Sequence, residues 1–515
     1  MRYALYSADE WMFNEDFRER KIPMEIDMAL GGHGGFQVLL EKETLAQVKV
    51  LCDAPEIKAE IFALLDVGVN ENTSPALMTT TDYESCKSFV TKKAPFRVYD
   101  ALKPIERMPS FKALYVRLFA PHNAKTGTFA GDLVLTDEEG ETRISFSVSV
   151  YGALVPSMEK SKLGFLNFCS YENIAKQHNV PMDSQEYWDI FRSYVRQQLS
   201  MRSTHILLPE GKMIYDKAGH AVGADFSFCE RAARIALDEG AKWVCGGHVA
   251  HWHEWNEESY YLAWADDISA TDAKGYAQLR IYFSEWARVI KRNGWEGRVA
   301  QCLADEPQTY NDKTYRMLSG IFRKFLPGVP IIDAVETTEL YGGIDVWVPK
   351  EDTYEKHREA FDSVHALGET MWFYTCAFPA GPSMNRSMDL PLLVSREILW
   401  RGAGYGLEGY LHWGLNYYLG DDIMNSACCP HKGELLPAGD AHIVYPDGKY
   451  VLASMRLEAQ RAGIEDYELL WQLRKKHPQK AEELINRACP SFKEYERDAK
   501  AFAAIRRELL RSMED

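Results

Sequence analysis

The sequence lacks several features, and each absence excludes a class of protein. No run approaches the roughly 20 apolar residues of a membrane-spanning helix. Met1-Arg2-Tyr3-Ala4-Leu5-Tyr6 leads into Asp9 and Glu10 without the apolar core of a secretion signal. If the natural chain begins at Met1, a cytoplasmic location is expected, with no membrane partner. Basic excess is missing too: 59 Lys and Arg stand against 75 Asp and Glu, a formal charge of −16. Such a surface cannot displace counterions from a phosphate backbone, so no nucleic-acid partner is expected. The ten cysteines include no C-x-x-C pair, which favours reduced thiols over a disulfide framework or a zinc site. Internal repeats and low-complexity tails are also absent.

The chain has 515 residues, 46% of them hydrophobic and 26% charged. That is enough apolar material for cores in two to four domains of roughly 100–200 residues each. Its character changes near Val155-Pro156. Before that point, short strand-like runs at 111–118, 131–135 and 144–150 alternate with turns, and the last of them alternates apolar and polar residues at period two. Asp137-Glu138-Glu139-Gly140 forms a polar hairpin connection between the last two. Residues 1–156 are therefore expected to form a β-sandwich.

Beyond 157 the pattern becomes strand, helix, strand. Eight candidate strands lie at 163–169, 205–208, 242–245, 299–304, 329–334, 344–348, 371–375 and 409–413. Among the helices between them, one starts near Asp183, with Glu186 as its capping-box partner and Tyr187, Phe191, Tyr194, Val195 and Leu199 on its apolar face. Another runs from about Asp272 to Asn293-Gly294. Eight strands is the number of a (β/α)8 TIM-type barrel, expected over 157–425. An open doubly wound sheet is the alternative, although no Gly-rich phosphate loop follows any strand. Residues 426–515 read as a charged helical extension packing on the barrel.

In such a barrel, working residues sit at the C-terminal ends of the strands. Those ends carry Glu172; His248, His251, Trp252 and His253; Asp305-Glu306-Pro307; Asp333; Tyr374; and Trp413 with Asn416. Carboxylates among aromatic rings suit a pyranose, whose C–H face stacks on rings while acids handle the glycosidic oxygen. Asp305 and Glu306 are the catalytic candidates. Neighbours on a regular strand point to opposite faces, so both reach one pocket only where the strand ends or bulges. Pro307 supplies that ending and disfavours helical geometry at Glu306. The same pair can equally be a helix cap or a solvated acidic loop.

Adjacent carboxylates fit poorly with the usual arrangement across a glycosidic bond, about 5–9.5 Å apart. They suit unequal roles: one acid protonates the leaving oxygen while its neighbour holds a substrate group that attacks the anomeric carbon. A 2-acetamido group is the obvious internal nucleophile. No metal or cofactor is needed for this chemistry, and none is expected. His248, His251 and His253 could nonetheless form a metal cluster, line the sugar cleft or sit in an ordinary surface loop. Trp252, Trp255 and Trp413 are possible sugar platforms.

Ala304-Asp305-Glu306-Pro307, Trp372-Phe373-Tyr374-Thr375-Cys376, Trp413-Gly414-Leu415-Asn416-Tyr417-Tyr418, Tyr445-Pro446 and Arg456-x4-Arg461-x-Gly463-Ile464-Glu465-Asp466-Tyr467-Glu468 together resemble glycoside hydrolase family 123 over roughly residues 160–475. The last motif is the most specific of these. The resemblance implies a β-sandwich ahead of a barrel and a retaining, substrate-assisted β-N-acetylgalactosaminidase. In that enzyme Asp305 orients the acetamido group, and Glu306 is first general acid and then general base. Substrate contacts are expected from Glu172, His251, His253, Asp333, Tyr374, Trp413 and Asn416. A small oligosaccharide or glycoside is the expected substrate. Two other readings stay open: a glycosidase with Glu172 or Asp333 as protein nucleophile, and a silent carbohydrate-binding protein. By spacing, Arg461 and Glu465 at i, i+4 could form an ordinary surface pair; the resemblance favours Arg456, Arg461, Glu465 and Glu468 as a latch between their helix and the barrel over direct substrate contact.

Overall fold

Period-two alternation decides the first part of the chain. Along Gly140–Leu154, Ile144, Phe146, Val148 and Val150 point inward and the residues between them outward. This strand pairs with Gly127–Asp137 through the tight connection Glu138-Glu139, with Asp137 opposite Gly140. Met24–Leu30 and Gln47–Cys52 complete a four-stranded sheet. It shares a core with a seven-stranded sheet: Ile26, Leu133, Ile144 and Val148 from one meet Phe36, Val38, Leu114 and Val116 from the other. Two sheets over one core form a sandwich. The computed structural model describes residues 1–15 and 17–514.

The seven-stranded sheet runs Tyr3–Ser7, His33–Thr44, Phe111–Phe119, Lys58–Val69, Phe96–Pro104, Tyr450–Ser454 and Tyr445–Asp447. Its last two strands come from the far end of the chain, where only helices were expected. The hairpin turns at Gly448, whose φ of +59° suits a residue without a Cβ. Ala453 and Ser454 pair with Leu102 and Ala101. Residues 1–162, 376–406 and 414 to the C-terminus accordingly form one compact unit, and 163–375 with 407–413 form another. These boundaries replace the expected divisions at 156 and 425.

The helix Met455–Lys476 is buried nearly all round, charges included. Arg456 pairs with Asp100 at 2.9 Å and donates to the Gly439 and His442 carbonyls. Glu458 accepts from Tyr115 and Arg117, Glu465 from the His33 backbone, and Asp466 from Arg396, Arg506 and Trp400. Glu468 takes Ser161 and the Lys162 amide. The motif is a latch, but it grips the sandwich and its neighbours within the same unit rather than a barrel. Arg461 pairs with Glu458 in place of Glu465, because Glu465 is committed to His33.

In the second unit all eight predicted strands are present, several shorter than expected, and the one predicted at 371–375 is split into Thr370–Met371 and Phe373–Thr375 in different sheets. A six-stranded parallel sheet runs Val299–Gln301, Trp243–Gly246, His205–Leu207, Gly164–Asn167, Gly409–His412 and Phe373–Thr375. A second parallel sheet contains Ile332–Val335, Val346–Pro349 and Thr370–Met371. Single bridges pair Gln301 with Ile331 and Lys350 with Tyr374. The expected eight-stranded cylinder is thus not a continuous ladder. Pro330 and Pro349 lie beside these bridges and supply no amide donor to extend them.

The intervening helices follow their patterns closely. Ala273–Asn293 is capped by Asp272, which accepts from the Gly275 amide, and it ends at Gly294 in left-handed geometry. Gln185–Ser200 is capped by Ser184 rather than Asp183, whose carboxylate instead accepts from Trp188. All ten cysteines are free thiols. Among the described residues no helix is long and apolar enough to cross a membrane.

Candidate active site

Because the strands are parallel, their C-terminal ends share one side of the second unit. Val299–Gln301 leaves its ladder three residues earlier than its apolar run predicts, and buried polar groups hold the residues beyond it. Gln301 donates through Nε2 to the Gly247 and Cys302 carbonyls. The Asp333 carboxylate accepts from the Leu303 amide at 2.9 Å, the Ala304 amide at 3.4 Å and the Tyr315 hydroxyl at 2.6 Å. The turn Asp305-Glu306-Pro307 is then pinned at each carbonyl. Trp252 Nε1 donates to Asp305 at 3.1 Å, Gln308 Nε2 to Glu306 at 3.2 Å and the Glu336 amide to Pro307 at 3.1 Å.

Glu306 has φ +45°, outside both the strand region and the right-handed helical region that Pro307 disfavours there. A non-glycine residue there costs about 1–3 kcal/mol, and the three pinned carbonyls hold it in place. The departure from strand geometry frees both carboxylates from pointing to opposite faces.

Glu306 is half-buried and hydrogen-bonded to the Tyr374 hydroxyl, which also lies 2.7 Å from Glu336 Oε1. Lys350 pairs with the same Glu336 oxygen at 3.0 Å, and Thr353 donates to the other at 2.6 Å. A phenol has one proton and cannot donate to two carboxylates at once. Glu306 and Glu336, the latter with Lys350 beside it, therefore compete for that one proton. Burial pushes the Glu306 carboxyl up to about 8, assisted by the charges of Asp305 and Glu336 and opposed by Tyr374 and Lys350.

Asp305 is exposed, yet loss of hydration to the neighbouring protein raises its carboxyl. His248 opposes that rise, while Asp333 and Glu336 add to it. His248 Nε2 lies 3.3 Å from Asp333 Oδ1. Burial disfavours its imidazolium, yet Asp333, Asp305 and Glu210 outweigh burial and push it up to about 9. The site therefore holds a carboxyl pushed up by burial next to a second carboxyl whose rise is opposed by His248.

The other predicted residues divide clearly. Tyr374 joins the pair directly. Asp333 is buried, and its three donors leave no face for a sugar, which removes it as substrate ligand and as nucleophile. Glu172 is exposed in the first turn of Tyr171–His178. His251 and His253 have their rings 5.3 Å apart, facing Asp266 and Glu257 respectively, while His248 lies apart from them beside Asp333. Trp413 is half-buried just after Gly409–His412. Asn416 belongs to the other compact unit and is fully buried, bridging His442 through its backbone; with no surface, it is not a sugar ligand.

Glu336, Lys350 and Glu210 were not anticipated. The signal was available for two of them: Glu336 and Lys350 each follow directly on a short apolar strand, as Asp305 does. His248, Cys302 and Asp333 offer a nitrogen, a sulfur and an oxygen within 4.8 Å of one another, a spacing that could suit a metal. The residues do not fit one, because Asp333 is saturated and the Cys302 thiol is held well up by Cys245 and by burial.

Residues 235–473 match the family model described as Glycoside hydrolase 123, catalytic domain. The matched span, 239 of the 515 residues, is similar to the catalytic domain of that family. The chain is therefore a glycosidase, and its fold agrees with that assignment. A solved family 123 glycoside hydrolase from Clostridium perfringens, described for glycolipid glycan hydrolysis, superposes with a TM-score of 0.71 at 12% identity, covering 99% of this chain and 96% of that one. An exo-β-1,4-mannosidase from Opitutaceae bacterium strain TAV5 aligns at TM-score 0.39 and 13% identity, over 61% of this chain and 63% of its own. A β-galactosidase from Marinomonas ef1 aligns at 0.38 and 10%, over 63% and 62%. Both of these scores lie too low to bear on the fold. No curated protein sequence matches this chain.

Proposed function

We propose that this protein is a retaining, exo-acting β-N-acetylhexosaminidase, with β-linked N-acetylgalactosamine as its preferred sugar, and that the substrate's 2-acetamido group is the nucleophile. The observation that carries this reading is the unequal state of two adjacent carboxylates. Glu306 shares the Tyr374 hydroxyl with Glu336 and burial pushes its carboxyl up to about 8, while the rise of the Asp305 carboxyl is opposed by His248. Two carboxylates one residue apart cannot flank a glycosidic bond from opposite faces. They can serve one face of one ring.

In the first step the acetamido oxygen bonds to the anomeric carbon as the C–O bond to the leaving group breaks, and the Glu306 proton passes to the departing oxygen. Asp305 accepts the acetamido N–H, which orients the group and offsets the charge growing on the oxazolinium. In the second step the Glu306 carboxylate takes a proton from water, and the oxygen of that water bonds to the anomeric carbon. The ring-fused bond breaks and the acetamide reforms. Two displacements leave the configuration unchanged. This reading also takes the eight parallel strands as sectors of a single (β/α)8 cylinder, a view supported by the bridges Gln301–Ile331 and Lys350–Tyr374.

A panel of p-nitrophenyl β-GalNAc, β-GlcNAc, β-galactoside and β-glucoside tests the proposal, with a glycolipid glycan as natural-substrate arm. Turnover confined to the acetamido sugars and inhibition by a thiazoline mimic are expected. Equal turnover of the β-galactoside, or indifference to the thiazoline, would overturn substrate assistance.

A further inference from the structure

The segment 251–257 leaves the second unit's parallel sheet at its C-terminal side and carries an aromatic group that the hydrolytic steps do not use. Trp255 is 49% exposed, an expensive position for so large an apolar ring. It stands edge-on to Trp252, with ring centroids 5.3 Å apart and planes at 87°. Trp252 in turn donates its indole N–H to the Asp305 carbonyl. The turn itself is firmly shaped, since Glu257 Oε2 accepts from the His253 amide at 2.8 Å and the Glu254 amide at 3.4 Å.

A second tie joins this turn to the loop of the carboxylate pair. Asn311 donates to the Glu257 carbonyl at 3.2 Å, and its Oδ1 accepts from Tyr260 at 2.9 Å and from the Gln308 amide at 2.8 Å. The exposed indole is thus held in register with Asp305-Glu306-Pro307 from both sides of that turn. Rings placed beside a sugar site present a flat apolar face, which matches the C–H face of a pyranose.

We infer that Trp255, braced by Trp252, is the platform of a leaving-group subsite that stacks the sugar ring on the far side of the scissile bond. The inference rests on Asp305 and Glu306 being the reacting pair. It assigns the chain to glycans with at least one sugar beyond the terminal residue, in preference to simple glycosides.

The test compares full-length wild type with Trp255→Ala and Trp255→Phe on two substrates: a disaccharide with terminal β-GalNAc, and β-GalNAc fluoride, whose leaving group has no ring. Trp255→Ala is expected to lower kcat/KM on the disaccharide about tenfold more than on the fluoride, mostly through KM, and Trp255→Phe to restore most of the loss. Equal losses on both substrates, or no loss on either, would overturn the platform. Should the wild type cleave neither substrate, the catalytic reading fails on its own. Disaccharide-induced quenching of tryptophan fluorescence then decides the platform: quenching lost in Trp255→Ala supports it, and quenching that persists or never occurs rejects it.

Discussion

Two glutamates in this protein meet the same cost of burial and answer it in opposite ways. Glu458, on the latch helix of the first unit, is surrounded by Arg117, Arg461 and Tyr115. Burial would raise its carboxyl, but the Arg117 and Arg461 charges outweigh it and hold the group at about 2. Glu306, in the second unit, has Asp305 and Glu336 for neighbours and is pushed up to about 8. The residue type is the same, and the sign of the surrounding charge decides its work. A carboxylate fully compensated by arginines has no proton to give and serves the fold. One crowded by other carboxylates keeps its proton at neutral pH and is poised to transfer it.

The comparison breaks most visibly at Glu306. Glu306→Gln should lower kcat by about 10²–10⁴-fold, most for poor leaving groups, as expected for a lost general acid. It should leave stability unchanged or slightly raised, because it relieves a crowd of acids. Steady-state kinetics with graded aglycones and a denaturant titration read both halves, and a marked loss of stability would contradict the contrast.

The mirror experiment lies in the latch. Arg456 and Asp100 are both 0% exposed, so Arg456→Met strands a buried carboxylate and should cost about 3–5 kcal/mol, measured by urea unfolding. A loss under about 1 kcal/mol would show that the latch is not what anchors the helix.

The two regions should also part company with pH. Neutral Glu306 contributes stability that is complete below its usual 4.5 and is lost as pH rises through about 8. Ionised Glu458 contributes stability that is complete above 4.5 and is lost as pH falls through about 2. Activity should decline over the same basic window as Glu306 loses its proton. Subtracting the stability profile of Glu306→Gln from that of wild type isolates the first contribution. A basic limb that survives in the residual activity of Glu306→Gln would assign it to another group.

The smallest expected effect sharpens the proton-sharing arrangement. Tyr374→Phe removes a hydroxyl that favours the Glu306 anion, so the basic limb of the rate profile should move to higher pH, with kcat down about tenfold, roughly 1.4 kcal/mol. An unmoved limb would mean that Tyr374 does not share that proton.

Much of this was legible from residues alone. Period-two runs marked the sandwich strands, and apolar runs marked all eight parallel strands, because burial on one or both faces writes itself into spacing. That Tyr374 meets the turn of Asp305 and Glu306 was foreshadowed by their places at strand ends. Less was legible where distant segments meet. The strands 445–447 and 450–454 looked like the approach to a helical tail, since nothing local says that their partner is Phe96–Pro104. The latch was expected to grip a barrel, and its actual partners Asp100, Arg117 and Arg396 are all remote in sequence.

By itself the sequence determined the elements, the family-like motifs and the presence of two carboxylates beside Pro307. Local spacing and strand endings suffice for those. Only the tertiary structure decided which acids carry charge. It set Asp333 beneath the turn, brought Glu336 and Lys350 to Tyr374 and bent Glu306 to positive φ. Protonation depends on which charges stand within a few ångströms, and no one-dimensional pattern records that.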